Sequence, residues 1–577
     1  MSQNDSDQAD KNSGGWINEH FTLIVSEGKK MRHCKAENCG AIYAGSSSHN
    51  SFRGHWRQKH FMEVPRKTVF MFHDQLHTSR LVKLIVEEQL EYRLVDRSAF
   101  RNFCESLDKN KEIISRSTLS SVILSKKDVL QKLVKTKLKD VPSIALTFDL
   151  WSQYKGGRGF GCLTGHFVDN AGNLNATVLE FKRMDHPHDA VTISTFIRQT
   201  IEDFDLSNKI ISITTDNASN MEAAVVNMRN CLDLGTSRPF GFTHYRCIAH
   251  IIHLGVTAAL KEMKPLMKDV KELVLAIKSS GKRAEIFRNI QTMLIEKGEL
   301  DGLNSPLELL EDVKHRWNSA YIMLARAYKL RVAICRFLSE SNDLHGIGDM
   351  DWTGLEKIIV FLKPFYELTC CLSSENSCTI SFTCVVVPKL LEHVSKVRHG
   401  DILYDAVASL KSKLLSYIDK MYQPTVLIAT VLDPRFKAKS LSTEMIDQVT
   451  SQLNRMLESE ESTSVLRDQS RESSGSTSIL DEIFEQDEDD EIERYLRTPC
   501  CHRSTDVYKF WGVNSENFPK LSSIALKILP IQATSVASEG IFSISGDLGT
   551  PKRNKLSDSS FESNILIKSW MKYANCE

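Results

Sequence analysis

The sequence lacks the features of membrane and secreted proteins. None of its apolar runs reaches the roughly 18 uninterrupted residues that a membrane-spanning helix needs, so no membrane partner is expected. Residues 1–15 are polar and contain no apolar core of a signal peptide, which predicts a disordered tail. The 14 cysteines are therefore expected to be reduced thiols in a cytosolic or nuclear protein rather than a disulfide framework.

The chain also lacks net charge, because 73 Lys and Arg balance 73 Asp and Glu. The charges are unevenly distributed along the chain. Between Lys29 and Lys67 there are nine basic residues and two glutamates, which predicts a local DNA-binding patch. Between Asp481 and Glu493 nine of thirteen residues are acidic, which is typical either of an acidic linker or of solvated surface charge.

Composition and hydrophobic periodicity divide the 577 residues into successive segments. The prediction is a multidomain α+β protein, in which a small zinc finger precedes a ribonuclease-H-like α/β domain that is interrupted by a large all-helical insertion. Between 141 and 260 the pattern follows the order β-β-β-α-β-α-β, which is the order of a ribonuclease-H-like sheet. The expected segments are a tail (1–15), a finger (16–64), a helical linker or DNA-binding region (65–140), the first part of the ribonuclease-H-like core (141–260), a helical insertion (261–500) with an acidic disordered loop (461–493), and a helical C-terminal segment (501–577). For this last segment, resemblance to a known family implies a ribonuclease-H-like helix and a dimerisation block.

Four side chains with the chemistry of zinc ligands are closely spaced: Cys34, Cys39, His55 and His60. Two thiolates and two imidazoles suit tetrahedral zinc, and a unit of about 50 residues gains from a metal that holds it together. The four residues between the cysteines leave His33 and His49 open as alternative ligands. Unrelated Cys and His residues in a surface loop are the other interpretation. The basic residues of the finger suit contacts with DNA phosphates: Arg53, Arg57 and Lys59.

Two aspartates occupy strand positions in the predicted sheet. Asp149 lies inside the first predicted strand, and Asp216 ends the fourth. On periodicity alone each is equally compatible with an ordinary strand-end or capping residue. Phosphoryl transfer by two metal ions needs carboxylates that converge although they are distant in sequence, and these two are candidates for such a site.

Several sequence blocks together resemble the successive motifs of hAT transposases. They occur in the family order and read TFDLWS, TTDNASNM, YRCIAHIIHL, VKHRWNSAY, TVLDPRFK and TSVASEGIFSISG. The resemblance covers about residues 75–575, and the N-terminal Cys and His pattern is similar to the BED zinc finger. The resemblance implies that Asp149, Asp216 and Glu539 are the catalytic acids and that they bind Mg²⁺ or Mn²⁺. Where the family has Ser-Glu-Arg, this chain has Gly540 after the glutamate.

The same resemblance implies further site residues. Five residues are expected at bound DNA, and Trp317 is expected to stack on a flipped base: Trp151, Cys247, His250, Arg316 and Trp317. Three apolar residues of the C-terminal block are expected to support dimerisation: Phe542, Ile565 and Trp570.

Two functional hypotheses follow. The first is a nuclear transposase that binds double-stranded DNA as a homo-oligomer and cuts and joins it with Mg²⁺ or Mn²⁺. The second is a domesticated descendant, which acts as a zinc-dependent, dimerising transcription or chromatin regulator without cleavage. The intact acids favour the first, whereas Gly540 and the altered cysteine spacing favour the second.

Overall fold

The structure is a computed structural model. It describes residues 21–26, 29–36, 39–44, 47, 51–52, 55, 59, 75–108, 113–152, 158–232, 241–300, 302–313, 316–341, 351–374, 377–468, 490–548 and 556–574. The chain divides into two compact units, Met1–Leu81 and Val82–Glu577, and each unit is described by itself.

The strands and helices of the described residues are numbered here in chain order. The strands are β1 (Phe21–Ser26), β2 (Lys29–Cys34), β3 (Ile42–Ala44), β4 (Ile144–Ser152), β5 (Gly159–Val168), β6 (Leu174–Met184), β7 (Ile210–Thr215) and β8 (Thr243–Arg246). The helices are α1 (Gln75–Glu87), α2 (Ser98–Leu107), α3 (Arg116–Lys139), α4 (Ala190–Asp203), α5 (Ser219–Cys231), α6 (Ile248–Glu262), α7 (Lys264–Lys278), α8 (Gly281–Glu296), α9 (Trp317–Lys329), α10 (Arg331–Glu340), α11 (Trp352–Leu372), α12 (Thr383–Ser395), α13 (Tyr404–Leu415), α14 (Ile418–Met421), α15 (Pro424–Leu432), α16 (Thr443–Asp468), α17 (Glu491–Arg497), α18 (Val507–Val513), α19 (Pro519–Ile528), α20 (Val536–Leu548) and α21 (Asp558–Ala574). Two short 3-10 helices span Tyr92–Asp96 and Ile380–Phe382.

The first unit contains a three-stranded antiparallel sheet in the order β1-β2-β3. In the part of this unit that the structure describes, Phe21 and Phe52 form a buried cluster, and their rings meet edge to face at 4.9 Å between centroids. Tyr43 packs against both rings.

The second unit is built on a five-stranded sheet in the order β6-β5-β4-β7-β8. The strands β6, β5 and β4 pair antiparallel, whereas β4, β7 and β8 pair parallel. All ten residues of β5 are buried, as expected for a central strand that is covered on both faces. The predicted order β-β-β-α-β-α-β is confirmed, because α4 connects β6 to β7 and α5 connects β7 to β8.

The helices from α6 to α19 lie between β8 and α20, and the predicted helical insertion of residues 261–500 covers α7 to α17 of them. They share one continuous apolar core, and that core extends to Ala145 and Tyr245 of the sheet. Buried polar contacts hold the insertion together: the Trp511 indole N–H, for example, donates to the Leu432 carbonyl at 2.9 Å. Within the described part of the chain, no helix combines the length and apolarity that crossing a membrane requires.

Candidate active site and zinc site

Two parallel strands bring Asp149 and Asp216 to the same edge of the sheet. Thr147 of β4 lies opposite Thr214 of β7 in the strand register. Asp149 and Asp216 each follow these threonines by two residues. Since the carboxyl ends of parallel strands meet at one edge, the register places the two aspartates side by side.

Helix α20 adds Glu539 to this edge. The neighbouring Ser538 is buried, and its hydroxyl lies 3.4 Å from the Thr147 hydroxyl and 3.5 Å from the Cys162 carbonyl. These contacts fix the first turn of α20 on β4 and β5. The Glu539 side chain remains accessible to solvent, although the protein around its carboxylate raises its pKa by desolvation.

The three acids share one electrostatic environment. Burial raises the pKa of Asp149 well above its ordinary value, and the negative charges of Glu539 and Asp216 raise it further. The Leu150 N–H, at 2.8 Å from Oδ1, and the Ser535 hydroxyl, at 3.5 Å from Oδ2, oppose that shift. A buried carboxylate beside two others is costly unless a cation or a proton compensates it.

The turn that carries Asp216 is held from both sides. The Ala218 N–H donates to its Oδ1 at 3.0 Å. The backbone carbonyl of Asp216 accepts hydrogen bonds from the Thr215 hydroxyl at 2.9 Å and from the Arg246 guanidinium at 3.5 Å. Arg246 is buried and also binds Glu222 of α5 at 2.6 Å. Arg246 therefore links the end of β7 to the first turn of α5 and positions Asp216.

The donor set fits a divalent metal ion. Carboxylate oxygens are the ligands that Mg²⁺ and Mn²⁺ prefer, and Asp149 combines burial with like charges around it. The three acids do not close into one tight cluster. Among the described residues, the only three or more Cys, His, Asp or Glu side chains with ligand atoms all within 4.8 Å of one another are Cys34, Cys39 and His55. At least one pair of the three acids therefore has its ligand oxygens more than 4.8 Å apart.

The substitution Asp149→Asn is expected to stabilise the metal-free protein. Because the folded-state pKa of Asp149 lies above its unfolded value, the stability that this group contributes is present at low pH and is lost as pH rises through the folded pKa. In chelator at neutral pH, Asp149→Asn should therefore raise the Tm, and the variant should lack this loss of stability with pH. Asp185→Asn, on an exposed acid, is the control. A lower Tm for Asp149→Asn than for the control would contradict the expected repulsion.

Three predicted zinc ligands converge in the first unit. Cys34 ends β2, Cys39 follows a turn in which its N–H donates to the Ala36 carbonyl at 3.1 Å, and His55 is buried beside them. The Cys39 sulfur lies 3.3 Å from His55 Nε2. Thiolate and imidazole ligands at such distances suit zinc. The four-residue knuckle thus brings both cysteines to one site.

The other predicted residues of the finger differ in whether the structure describes them. His60, Arg53, Arg57 and the alternative ligand His49 lie outside the described residues. Lys59 is described and exposed, as a phosphate contact requires. The structure therefore brings together three side chains that could bind zinc, and the zinc site with its fourth ligand stays a prediction.

Comparisons with known proteins agree with this architecture. Residues 147–238 match the ZBED1 RNase-like domain, 245–361 match the ZBED1 RNase-like helical domain, and 491–571 match the hAT family C-terminal dimerisation region. The chain therefore carries domains found in hAT transposases and in their domesticated descendants.

Its relatives include both transposases and BED zinc finger proteins. It is 24% identical to the Putative AC transposase of Zea mays, over 96% of this chain and 75% of that protein. It is 23% identical to Zinc finger BED domain-containing protein RICESLEEPER 2 of Oryza sativa, over 86% of this chain and 74% of the relative. Zinc finger BED domain-containing protein 4 of Homo sapiens is 23% identical over 85% of this chain and 43% of its own length.

Both residues of the Cys-x-x-His motif were expected to contact DNA, but the structure places them in different environments. Cys247 is buried, burial raises its thiol pKa to about 11, and its sulfur accepts the Ser535 N–H at 3.5 Å. It therefore anchors the segment before α20. Burial lowers the pKa of His250, while the charge of Asp216 opposes that shift. His250 thus lies near the acids, as a contact at the active site requires.

The aromatic hAT residues also differ from the expectation of DNA contacts. Trp317 begins α9 and is only 6% exposed, so its ring packs in the core of the insertion and is not available for stacking on a base in this structure. Trp151 is half-buried and stacks on Phe542, with 6.1 Å between ring centroids. Arg316 is exposed, and its charge lowers the pKa of Glu539 against the effect of burial.

The predicted dimerisation residues require a correction. Phe542, Ile565 and Trp570 are 7%, 2% and 0% exposed within one subunit. The Trp570 indole N–H donates to the Val178 carbonyl of β6 at 2.6 Å. These side chains pack α20 and α21 onto the sheet of their own subunit, because large apolar side chains next to a sheet gain most by covering it.

Loss of Trp570 is therefore expected to reduce the stability of the subunit. Trp570→Ala removes a fully buried ring and its hydrogen bond, which predicts a cost of about 3–5 kcal/mol. Val513→Ala, which changes an 81% exposed residue of the same matched region, should change stability by less than about 0.5 kcal/mol. Thermal unfolding of both variants measures the difference. Equal stabilities would contradict the packing role.

Sequence reasoning missed three positioning groups, namely Ser535, Ser538 and the pair Arg246–Glu222. The serines stand within the TSVASE motif, where repeated small polar residues before an acid were a usable signal. The ion pair joins a strand to a helix that precedes it, and no local pattern indicates such a contact.

Proposed function

We propose that this protein is a DNA transposase that cuts and joins DNA by two-metal phosphoryl transfer. The observation that carries the proposal is the meeting of Asp149, Asp216 and Glu539 at one edge of a ribonuclease-H-like sheet. Burial raises the pKa of Asp149, and the negative charges of Glu539 and Asp216 raise it further. Packing alone gives no reason to gather three acids there, whereas binding of divalent cations does.

The three acids would hold Mg²⁺ or Mn²⁺. When bound, such ions activate the attacking oxygen and stabilise the charge on the leaving oxygen of a phosphodiester. The Leu150 N–H and the Ser535 hydroxyl orient Asp149, and Arg246 with Ala218 orients Asp216. These bonds fix the carboxylates before substrate arrives, which limits the reorganisation needed during reaction.

Cationic groups would bind the DNA. Arg316 is exposed close enough to Glu539 to affect its pKa, and it is suited to hold a backbone phosphate beside the acids. The zinc finger, with Lys59 and the basic residues predicted around it, would supply recognition of double-stranded DNA. A nuclear location and a homo-oligomeric assembly accompany this function.

A second candidate function is a domesticated regulator that binds DNA and dimerises without cleaving it. The observation that favours it is Gly540 in the position of the family's arginine, since the lost guanidinium is a group suited to a phosphate. Relatives named as BED zinc finger proteins and as a Putative transcriptional regulator agree with this alternative.

Direct assay of cleavage separates the two candidates. Full-length protein would first select duplexes from a random-sequence DNA library, which identifies bound sites. The selected duplexes, end-labelled, would then be incubated with protein in Mn²⁺, in Mg²⁺ or in chelator. Metal-dependent strand cleavage supports the transposase. Tight, sequence-specific binding without cleavage in either metal would overturn the transposase and support the regulator.

A further inference from the structure

His166 is a buried imidazole that the proposed mechanism does not use. It lies on β5, whose ten residues are all buried, and its own exposed fraction is 0%. Burial lowers its pKa to about 4, so the ring is neutral at physiological pH and carries one hydrogen. A polar side chain is costly to bury, whereas an apolar side chain of similar size would fill this position without that cost. The imidazole therefore indicates a role other than filling the core.

The His166 ring begins a series of buried hydrogen bonds that ends in the first turn of α20. Its Nε2 lies 3.1 Å from the Thr164 hydroxyl, and that hydroxyl is hydrogen-bonded to the Thr147 hydroxyl. The Thr147 hydroxyl lies 3.4 Å from that of Ser538, which in turn lies 3.5 Å from the Cys162 carbonyl. All three hydroxyl-bearing residues are buried, and together they form a hydroxyl chain: Thr164, Thr147 and Ser538.

The position of the ring hydrogen on His166 sets the direction of the hydroxyl chain. With the hydrogen on Nε2, every hydrogen is donated in succession, from His166 to Thr164, Thr147, Ser538 and finally the Cys162 carbonyl. In the opposite direction Nδ1 would carry the hydrogen, and Nδ1 is buried without a hydrogen-bond partner among the described residues. A buried donor without an acceptor is costly, so the Nε2–H form is favoured.

This direction reaches the acid site through Ser538. The serine stands in the first turn of α20, and Glu539 follows it in the chain. In the favoured direction its hydroxyl accepts from Thr147 of β4 and donates to the Cys162 carbonyl of β5, so the turn is held by both strands. Because a functional carboxylate must be held within about half an ångström of its working position, the fixed turn matters for Glu539.

We propose that His166 is a positioning residue of the acid site. Its Nε2–H sets the hydroxyl chain, which holds the first turn of α20, and with it Glu539, beside the two aspartates. This role needs no contact between His166 and DNA or a metal ion. The inference rests on the proposed function, since the place of Glu539 matters for binding a divalent cation, but the hold on α20 is measurable without metal or DNA.

Two variants interrupt the hydroxyl chain and a third preserves it. His166→Leu removes the first donor, and Thr147→Val removes the middle hydroxyl with little change of shape. His166→Gln keeps an N–H donor near the position of Nε2. The control is Thr200→Val, because Thr200 is also buried and its hydroxyl donates to the Phe196 carbonyl within α4 at 2.9 Å. Thermal unfolding should show that all four variants fold.

Amide hydrogen exchange of the metal-free full chain measures the first turn of α20. The N–H groups of Ser538 and Glu539 donate to the Ser535 carbonyl at 3.0 and 3.4 Å. Peptides that cover them should exchange roughly five- to tenfold faster in His166→Leu and Thr147→Val, as the loss of one buried hydrogen bond predicts. His166→Gln and Thr200→Val should exchange like the wild type. Wild-type exchange in both interrupting variants would overturn the proposal.

Binding of Mn²⁺ measures the place of Glu539. Titration of the full chain without DNA, followed by electron paramagnetic resonance, should give a Kd at least about tenfold higher in His166→Leu and Thr147→Val, as for a metal ligand that loses its supporting hydrogen bonds. His166→Gln and Thr200→Val should keep the wild-type Kd. Faster exchange with an unchanged Kd would overturn the positioning role, because the chain would then serve stability alone. If Asp149→Asn bound as much Mn²⁺ as the wild type, the proposed function would fail, and the exchange rates would still support or overturn the hold of His166 on α20.

Discussion

Replacement of any one catalytic acid is expected to abolish DNA cleavage while leaving DNA binding intact. Asp149→Asn, Asp216→Asn and Glu539→Gln keep the shape of each side chain and remove the charge that would hold a divalent cation. Metal ions stabilise phosphoryl-transfer transition states by several kcal/mol, so we expect each variant to cleave at least about a thousandfold more slowly. Initial rates on the selected duplexes in Mn²⁺ measure the loss.

Asp185→Asn is the matched control, because Asp185 is an exposed acid that follows β6 and lies 3.4 Å from Arg183. It should cleave at the wild-type rate. Equal DNA affinity of all four variants would show that binding is unaffected. If one of the three acid variants retained wild-type cleavage, that acid would not belong to the site.

Loss of zinc is expected to abolish sequence-specific DNA binding without unfolding the second unit. Purified protein should contain one zinc ion per chain, and Cys39→Ser should remove it, since Cys39 lies 3.3 Å from His55 Nε2 in the ligand cluster. Without metal a small finger unfolds, and affinity should fall to the non-specific level, about 10³-fold weaker or more. Elemental analysis and titration of the selected duplex measure both effects.

Cys231→Ser, at an exposed cysteine of α5, is the control and should keep both zinc and affinity. The same measurements on His60→Ala and His33→Ala would identify the fourth ligand, because only the variant that lacks a ligand should lose zinc. Full zinc content in Cys39→Ser would remove this site from the finger.

Local sequence patterns were sufficient for the elements that form the site. Asp149 and Asp216 could be placed on the first and fourth strands because alternation and apolar runs identify strands within short windows, and the family motifs mark the same residues. The two cysteines of the zinc site could be predicted for the same reason, because Cys34 and Cys39 are close together in the sequence. Glu539 is different: a long helical insertion separates it from Asp216, and only the resemblance to a known family associated the two.

Burial could not be assigned from the same patterns. The family resemblance implied that Trp317 contacts DNA and that Phe542 and Trp570 contact a second subunit, but all three are covered within their own subunit. Phe103 shows the reverse, because its amphipathic helix predicts burial and yet leaves it 59% exposed. Periodicity reports that a helix has an apolar face, and it does not report which surface covers that face.

What the sequence determined by itself is therefore the order of strands and helices, the two strand aspartates and the cysteine knuckle, because neighbours in the chain carry those signals. The tertiary structure alone decided which distant groups meet. The Ser535 hydroxyl donates to the Asp149 carboxylate, and Arg246 forms an ion pair with Glu222 beside the turn of Asp216. Trp570 packs on the sheet of its own subunit and not on a second subunit. Such contacts depend on how the elements pack in three dimensions, and packing is set by the whole chain at once rather than by any short stretch of it.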